Sequence, residues 1–252
     1  MELTVSRTHL GTPEVAWQQS ERLHAIAPLQ LDRPRRAIVL APHPDDEVLG
    51  AGGLLQRLIA SDVEIELVAV TNGEGSHPNG TAARTRNLGE LRPQESLTAL
   101  RRLGCRAPVV TRLNLPDGRV ADHEERVCEE LADRAHEDDL WLAPWWSDGH
   151  PDHDACGRSA ATVARQFGVR SLSYLVWAWH WADPRSGDLP WEDCRQYELE
   201  DKATARKRWS IEAFRSQVRP LGPQPGDAPV LPPEVLSRFW RSFEVFVQGG
   251  RA

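Results

Sequence analysis

The sequence predicts an α/β fold in which a doubly wound, mostly parallel sheet carries helices on both faces. Short apolar runs alternate along the chain with longer segments of helical periodicity. The apolar runs are hydrophobic at nearly every position, as expected for strands that are buried on both faces of a parallel sheet. This repeated alternation of strand and helix is typical of βαβ units in a Rossmann-like arrangement.

The predicted elements begin with a weak helix around Pro13 to Ala25. Five strands follow, at RRAIVLA (35–41), VEIELVAVTNGEG (63–75), PVVTRLNLPDG (108–118), DLWLAPWW (139–146) and VRSLSYLVWAW (169–179). The helices between them are predicted at 47–61, 83–103, 122–137 and 151–168. The proline-rich stretch 219–233 is predicted to be a surface loop before a last short element, so 219–252 forms a C-terminal extension.

Composition narrows the class of protein. With 40% apolar residues and a net charge of -7, the chain is expected to be a soluble globular protein of one domain, and a nucleic-acid partner is disfavoured. No apolar run approaches the ~20 residues of a membrane span. The N-terminus does not resemble a signal peptide, and the four cysteines form no C-x-x-C pair. We therefore expect a cytoplasmic protein, and the sequence leaves a homo-oligomer open.

Two similar clusters of polar residues follow two of the predicted strands. APHPDDE (41–47) comes after the first strand, and SDGHPDHD (147–154) comes after the fourth. Ligands of such sheets bind beyond the carboxyl ends of the strands, and catalytic zinc commonly takes two histidines and one carboxylate. Acids at a helix start also favour the helix dipole, but the recurrence of His-Pro-Asp favours a metal site.

These motifs resemble the GlcNAc-phosphatidylinositol de-N-acetylase family, the PIG-L/LmbE-like zinc N-deacetylases, over about residues 37–218. TNGEG, RPQESLTALRRLG, LPDG and KRWSIEAFRSQV fall in the family's order. The resemblance implies hydrolysis of an N-acetyl group on an N-acetylglucosamine-like unit of a glycoconjugate or secondary metabolite. It also implies that His43, Asp46 and His153 bind zinc, that Asp45 is the general base, and that His150 assists the tetrahedral intermediate.

Amide hydrolysis accounts for the same residue types on chemical grounds. Zinc lowers the pKa of its water towards ~7 and polarises the carbonyl, while a neighbouring carboxylate moves the proton to the departing amine. The adjacent Asp45 and Asp46 cannot point the same way, which suits one ligand and one base. We expect protonated His150 to donate to the oxyanion, with Asp152 as its partner or a helix cap, and Glu47 to brace the ligands at the helix start. Iron(II) also suits such a site.

Candidate substrate contacts come from weaker patterns. Arg92 matches an arginine that reaches the substrate's headgroup in the family, although a surface pair with Glu95 is the alternative. Asp117 either forms a turn with Gly118 or contacts a sugar hydroxyl.

The segment LVWAWHWADP contains three alternating tryptophans at the end of the fifth predicted strand. This spacing places Trp177, Trp179 and Trp181 on one strand face, with His180 on the other. The tryptophans either belong to the core or stack on a sugar, in which case His180 offers a polar contact. The loops around these residues are aromatic and acidic and have no cluster of Arg and Lys, so the expected substrate is a small, largely uncharged glycoside.

Other functions are less consistent with the motifs. GAGG resembles a dinucleotide-binding turn, but Gly50 comes nine residues after Ala41, inside a helix rather than at the strand end. A non-enzymatic binding module is disfavoured because both His-Pro-Asp motifs are intact. The paired-metal site of a metallophosphoesterase usually needs more His or Asp clusters than this sequence contains. A metallophosphoesterase or another metal-dependent amidohydrolase is therefore kept as the alternative function.

Overall fold

The computed structural model describes residues 10–77 and 82–249, and within them one eight-stranded sheet has helices on both faces. The strands are Ala27–Pro28 (β1), Arg36–Ala41 (β2), Glu64–Thr71 (β3), Val109–Leu115 (β4), Leu140–Pro144 (β5), Arg170–Tyr174 (β6), Cys194–Glu198 (β7) and Phe243–Gln248 (β8). The α-helices are Glu14–Gln18 (α1), Glu21–His24 (α2), Asp46–Ala60 (α3), Ala82–Leu103 (α4), Glu124–Ala132 (α5), Pro151–Phe167 (α6), Ala178–Trp181 (α7), Asp201–Ile211 (α8), Arg215–Val218 (α9) and Pro233–Leu236 (α10). Short 3-10 helices lie at Val120–His123, Pro225–Asp227 and Ser237–Phe239.

The strand order places the two polar clusters side by side. The order is β1-β7-β8-β6-β5-β2-β3-β4, with β2 parallel to both β3 and β5. From β2 the chain first moves outward through β3 to β4, and it then returns to form β5 on the other side of β2. The strand order therefore reverses between β2 and β5, where sheets of this kind leave a crevice at the carboxyl ends of the strands.

Both faces of the central strands are buried. In β2, Val39 packs into the core on the face of α3 and α8, whereas the adjacent Leu40 packs into the core on the face of α5 and α6. The exposed fractions of these two side chains are 1% and 2%. Because successive side chains of a strand point to opposite faces, the continuous apolar runs are explained by a sheet covered on both sides. The predicted doubly wound α/β fold is confirmed.

The C-terminal extension is part of the sheet rather than a peripheral element. β8 lies antiparallel between β6 and β7. Its Glu244 carboxylate accepts hydrogen bonds from Lys207 Nζ at 2.7 Å and from the backbone N–H groups of Gly53 and Leu54 at 2.6 and 2.8 Å. This buried ion pair fixes α3, which begins at the first polar cluster, against β8 and α8.

The structure differs from the sequence prediction in several further elements. The predicted N-terminal helix is two short helices, separated at Gln19 and Ser20. β7 and α8 were not predicted. The fifth predicted strand is wrong beyond Tyr174, where β6 ends and a short helical turn replaces the predicted alternation.

None of the helices in the described part of the chain has both the length and the apolar character that a bilayer-spanning segment requires.

Candidate metal centre

The first polar cluster forms a strained turn between β2 and α3. Asp45 is the N-cap residue of α3 and has a φ of 140° and a ψ of -28°, a conformation that residues with a Cβ rarely adopt. The turn is held against β3 because Thr71 Oγ1 donates to the carbonyl of Pro42 at 2.8 Å. Asp46 Oδ2 accepts the backbone N–H of His43 at 2.9 Å. Because of the strained conformation of Asp45, the side chains of the adjacent Asp45 and Asp46 have different neighbours.

Three side chains from the two clusters converge on one point. Asp46 Oδ2 lies 3.3 Å from His43 Nδ1 and 3.2 Å from His153 Nε2. His153 is fully buried and Asp46 is 2% exposed. One carboxylate oxygen and two imidazole nitrogens therefore face each other between the ends of β2 and β5.

A carboxylate on the far side of each ring fixes the orientation of both histidines. His153 Nδ1 donates to Asp148 Oδ2 at 2.9 Å. His43 Nε2 donates to Asp152 Oδ2 at 3.1 Å and lies 3.2 Å from Asp117 Oδ1. Since these nitrogens carry the protons, the opposite nitrogens can present lone pairs to a cation, as in many metal sites.

His153 Nε2 provides a direct test of whether the site fits a metal. It is buried and, although Asp46 Oδ2 lies 3.2 Å away, it makes no hydrogen bond of good geometry with the described residues, whereas a buried polar atom normally makes one. Together with His43 Nδ1 and Asp46 Oδ2 it supplies the two-nitrogen, one-oxygen donor set of catalytic zinc sites. The residues at this site fit a divalent metal ion.

The pKa shifts of His43, Asp46 and His153 also indicate a site for a cation. Burial lowers the pKa of His153, but Asp46 and Asp148 outweigh it and raise that pKa to about 9. Burial also lowers the pKa of His43, but three neighbouring carboxylates outweigh this effect and raise that pKa well above its usual value. Burial raises the pKa of Asp46, but His153 and His43 bring it below its usual value. A divalent cation bound here would replace the ring protons that the carboxylate attracts.

Asp45 faces a different partner, the buried guanidinium of Arg92. Arg92 Nη2 donates to Asp45 Oδ2 at 3.0 Å and to the carbonyl of Pro44 at 2.8 Å, and Nη1 donates to the carbonyl of Gly73 at 2.6 Å. A Cβ at position 73, where φ is 67°, would lie 2.1 Å from Arg92 Nη1, so only glycine allows this approach. Burial, opposed by Arg92 and assisted by Asp46, raises the pKa of Asp45 to about 7.

His150 borders the site as the N-cap residue of α6. Its Nδ1 accepts the backbone N–H of Asp152 at 3.2 Å, and its ring centre lies 4.9 Å from that of His43 and 5.2 Å from that of His153. Burial and the two neighbouring histidines lower the pKa of His150 to about 3. The lowered pKa favours the neutral ring, and because Nδ1 accepts a hydrogen bond, Nε2 is the nitrogen that can donate one.

Comparisons with known proteins show the family to which this chain belongs. The model of the GlcNAc-PI de-N-acetylase family, PIG-L, matches residues 38–164, which is half of the chain and contains both clusters. The chain belongs to this family. A relative in Bacillus subtilis, the probable N-acetyl-alpha-D-glucosaminyl L-malate deacetylase 2, is 28% identical over 128 residues, covering 48% of this chain and 57% of the relative. The chain thus spans little more than half the length of that curated relative.

Solved structures have a fold similar to that of this chain. A conserved protein of Thermus thermophilus is 24% identical with a TM-score of 0.59, covering 86% of this chain and 95% of that one. The N,N'-diacetylchitobiose deacetylase of Pyrococcus horikoshii is 20% identical with a TM-score of 0.57, covering 82% and 80% of the two chains. These likenesses establish the arrangement of the sheet and helices.

The remaining predicted site residues of this PIG-L chain have unexpected partners. Asp152 holds His43 rather than His150, and its two oxygens also accept the N–H groups of Gly118 and Val120 at 2.7 and 3.0 Å. Asp117 closes over the same ring and accepts the N–H of Gly75 at 2.7 Å. Both aspartates therefore bring the loop after β4 into the metal centre.

Glu47 and Arg92 lie beneath the site. Glu47 is fully buried and accepts the N–H of Asp45 at 3.0 Å and the hydroxyl of Ser96 at 2.5 Å. Arg92 is 3% exposed, so the surface pair with Glu95 is wrong, and Glu95 instead accepts hydrogen bonds from Ser216. The described contacts of the Arg92 guanidinium are with Asp45, Pro44 and Gly73, so we do not retain its predicted contact with substrate.

The tryptophans do not form the predicted strand face. Trp179 is 5% exposed and packs against Trp17 at a ring-centre distance of 4.9 Å, under Arg241 at 4.3 Å. Trp181 Nε1 donates to the carbonyl of Asp148 at 2.7 Å. His180 accepts from Arg238 Nη1 at 3.2 Å. These contacts are with the protein, so the predicted substrate contacts of Trp179, His180 and Trp181 are not supported.

Asp148 is a site residue to which the sequence analysis assigned no role. The fully buried carboxylate of Asp148 accepts the N–H groups of Val176, Trp177 and Ala178 at 3.1, 2.9 and 2.9 Å, as well as His153 Nδ1. These three successive donors bend the chain after β6 into the turn of α7. The available signal was that a histidine ligand needs an acceptor for its other nitrogen, and Asp148 is the acid just before the motif.

Proposed function

We propose that this protein is a metal-dependent hydrolase that removes the N-acetyl group from an N-acetylglucosamine-like unit of a glycoconjugate or secondary metabolite. The observation that carries the proposal is the convergence of His43 Nδ1, Asp46 Oδ2 and His153 Nε2, with the Asp45 carboxylate in the same turn. Membership of the PIG-L family and the likeness to an N-acetylglucosaminyl malate deacetylase support it.

His43, Asp46 and His153 would hold the metal. Zinc suits this donor set, and iron(II) is the second candidate. When bound, the metal supplies a Lewis acid that polarises the amide carbonyl and makes a water molecule acidic enough to attack near neutral pH. Asp148 and Asp152 keep the two histidine rings in the orientation that this role requires.

Asp45 is the general base of the proposed reaction. It takes a proton from the attacking water as the oxygen–carbon bond forms, and it gives that proton to the nitrogen as the carbon–nitrogen bond breaks, so that acetate and the amine leave. A pKa of about 7 suits a group that must both accept and donate a proton. Arg92 holds the carboxylate at Oδ2 on the side of β3.

His150 is the donor to the developing oxyanion. A protonated ring was expected from the sequence, but the lowered pKa and the hydrogen bond from the Asp152 N–H favour the neutral form. The neutral ring carries its proton on Nε2, which is the nitrogen on the side away from the backbone of α6. A neutral N–H donor also stabilises the negative charge that develops on the oxygen in the transition state.

We also propose that residues 1–252 form a single domain with a deacetylase core at about 37–218. The position of β8 between β6 and β7 supports this, because the last strand completes the sheet of the core.

The proposal is tested by measuring acetate release from a panel of N-acetylglucosaminides, with phosphate monoesters and simple acetanilides as competing substrate classes. Zinc-loaded wild-type protein is compared with His153→Ala. We expect zinc-dependent acetate release from at least one N-acetylglucosaminide and none from the variant. Turnover confined to phosphate esters would favour a metallophosphoesterase, and turnover confined to acetanilides another amidohydrolase.

A further inference from the structure

Trp177 is an aromatic side chain that borders the proposed reactive centre. It follows β6 at the start of α7 and is partly buried. Its ring centre lies 5.2 Å from that of His150, with the planes tilted by 34°. Because His150 is the proposed oxyanion donor, a group beside it is close to the carbonyl carbon that is attacked.

The position of Trp177 is fixed by several contacts. Its N–H donates to Asp148 Oδ2 at 2.9 Å, and the same carboxylate holds His153. Its ring also packs edge-on against His180 at a ring-centre distance of 6.0 Å. The turn is held from outside by Trp181, which donates to the Asp148 carbonyl. The ring therefore forms a rigid wall rather than an adaptable side chain.

The order of the strands decides which part of the substrate meets this wall. Asp45 lies towards β3, where Arg92 joins it to Gly73. Trp177 lies on the opposite side, towards β6. The departing amine must face Asp45 to receive its proton. The acyl substituent lies about 120° from the nitrogen on the trigonal carbonyl carbon, and so it is directed away from Asp45.

We propose that Trp177 is the wall of the acyl subsite and restricts the substrate to short N-acyl groups such as acetyl. This inference rests on the proposed function, since it assumes that the amide lies between Asp45 and His150. It assigns to Trp177 the selection of the acyl chain. The sugar and its aglycone occupy the side of Asp45 and Asp117.

The first test measures binding, which does not depend on turnover. Acetohydroxamate and octanohydroxamate, metal-binding probes with a short and a long acyl chain, are titrated into zinc-loaded protein by calorimetry. The proteins are the wild type, Trp177→Ala, Trp177→Phe and Trp209→Ala. Trp209 is the matched control because it is 52% exposed on α8 and packs on Arg102.

In the wild type we expect acetohydroxamate to bind more tightly than octanohydroxamate. In Trp177→Ala the affinity ratio of octanohydroxamate to acetohydroxamate should rise by about 10-fold or more, since even one methylene changes discrimination by about that factor. Trp177→Phe should change it less, and Trp209→Ala should leave it unchanged. An unchanged ratio in a folded, zinc-loaded Trp177→Ala protein would overturn the proposal.

The second test measures kcat/KM for N-acetyl- and N-hexanoylglucosaminides with the same proteins. Trp177→Ala should shift the ratio towards the hexanoyl substrate in parallel with the hydroxamate ratio. If none of the proteins hydrolyses either substrate, the proposed function fails, and the hydroxamate ratio still decides whether Trp177 bounds the acyl side. If hydrolysis occurs but neither ratio responds to Trp177→Ala, only the assignment of Trp177 fails.

Discussion

The two His-Pro-Asp turns have the same three residues but differ in their relation to the following helix. After β2, His43 lies three residues before the start of α3, and the strained Asp45 is the N-cap residue. After β5, His150 is itself the N-cap residue of α6, with an ordinary φ of -109° and ψ of 130°. The first histidine turns a nitrogen towards Asp46, whereas His150 accepts a backbone N–H and stays at the border.

This difference teaches that the motif does not by itself determine the role of its histidine. In the first turn the helix begins late, so His43 precedes it and Asp46 occupies its first turn. In the second turn the helix begins at once, so the proposed ligand His153 comes from the helix itself. The candidate site thus uses the single histidine of the first motif and the last histidine of the second, and each ring has its own carboxylate, Asp152 or Asp148.

The largest expected effect separates the two histidines of the second motif. His153→Ala should lose most of the bound metal and all measurable turnover, because the site loses one of three ligands. His150→Ala should retain stoichiometric metal. Elemental analysis of the two purified variants checks this, with folding followed by circular dichroism. Stoichiometric zinc in His153→Ala would remove His153 from the ligand set.

A second comparison concerns the adjacent aspartates of the first motif. Asp45→Asn should keep metal and fold but lower kcat by about 10²–10⁴-fold, because an amide cannot accept the proton of the attacking water. Asp46→Asn should instead weaken metal binding. The measurements are kcat and zinc content for each variant. Loss of metal in Asp45→Asn with retention in Asp46→Asn would show that the two roles are reversed.

A smaller effect is expected at the bordering histidine. His150→Ala should lower kcat by about 10²–10³-fold, the loss typical of removing one oxyanion donor. His150→Gln, which keeps an N–H donor, should recover part of that loss. Steady-state kinetics on the substrate identified from the panel measure both. A kcat for His150→Ala within about twofold of the wild type would exclude His150 as the oxyanion donor.

The smallest effects should come from the carboxylates that orient the two ligand rings. Asp148→Asn and Asp152→Asn should each weaken zinc affinity by about 10–100-fold, as is typical for partners of histidine ligands. Asp154→Asn is the matched control, because Asp154 lies in the same helical turn but accepts the N–H of Gly149. Competition with a chelator measures the three affinities. Equal affinities in all of them would mean that neither aspartate orients a ligand.

The sequence was sufficient for the fold and for the position of the site because both depend on local patterns. Buried parallel strands are recognisable from their continuous apolar runs, and the two polar clusters stand directly at strand ends. The distinction between Asp45 and Asp46 came from family resemblance. The strained φ of Asp45 that separates their surroundings depends on contacts with β3 and α4, such as that from Arg92.

The tryptophan segment shows why the rest could not be predicted. Period-two spacing normally indicates a strand, but here Asp148, almost thirty residues earlier in the chain, accepts three successive backbone N–H groups and bends the segment into a helical turn. Other long-range contacts hold the buried Arg92 against Asp45 and join Asp152 to His43. Residues whose role depends on such distant partners carry no local signal.

The central claim is that His43 Nδ1, Asp46 Oδ2 and His153 Nε2 bind one metal ion. Other groupings of potential ligands are close by, since atoms of His43, His150 and His153, and atoms of His43, Asp117 and Asp152, each lie within 4.8 Å of one another. Anomalous diffraction from crystals of the zinc-loaded protein distinguishes these sets. We predict one zinc about 2.0–2.2 Å from His43 Nδ1, Asp46 Oδ2 and His153 Nε2, with His150 uncoordinated. Zinc bound through His43 Nε2 to Asp117 and Asp152, or with His150 in place of Asp46, would contradict the account.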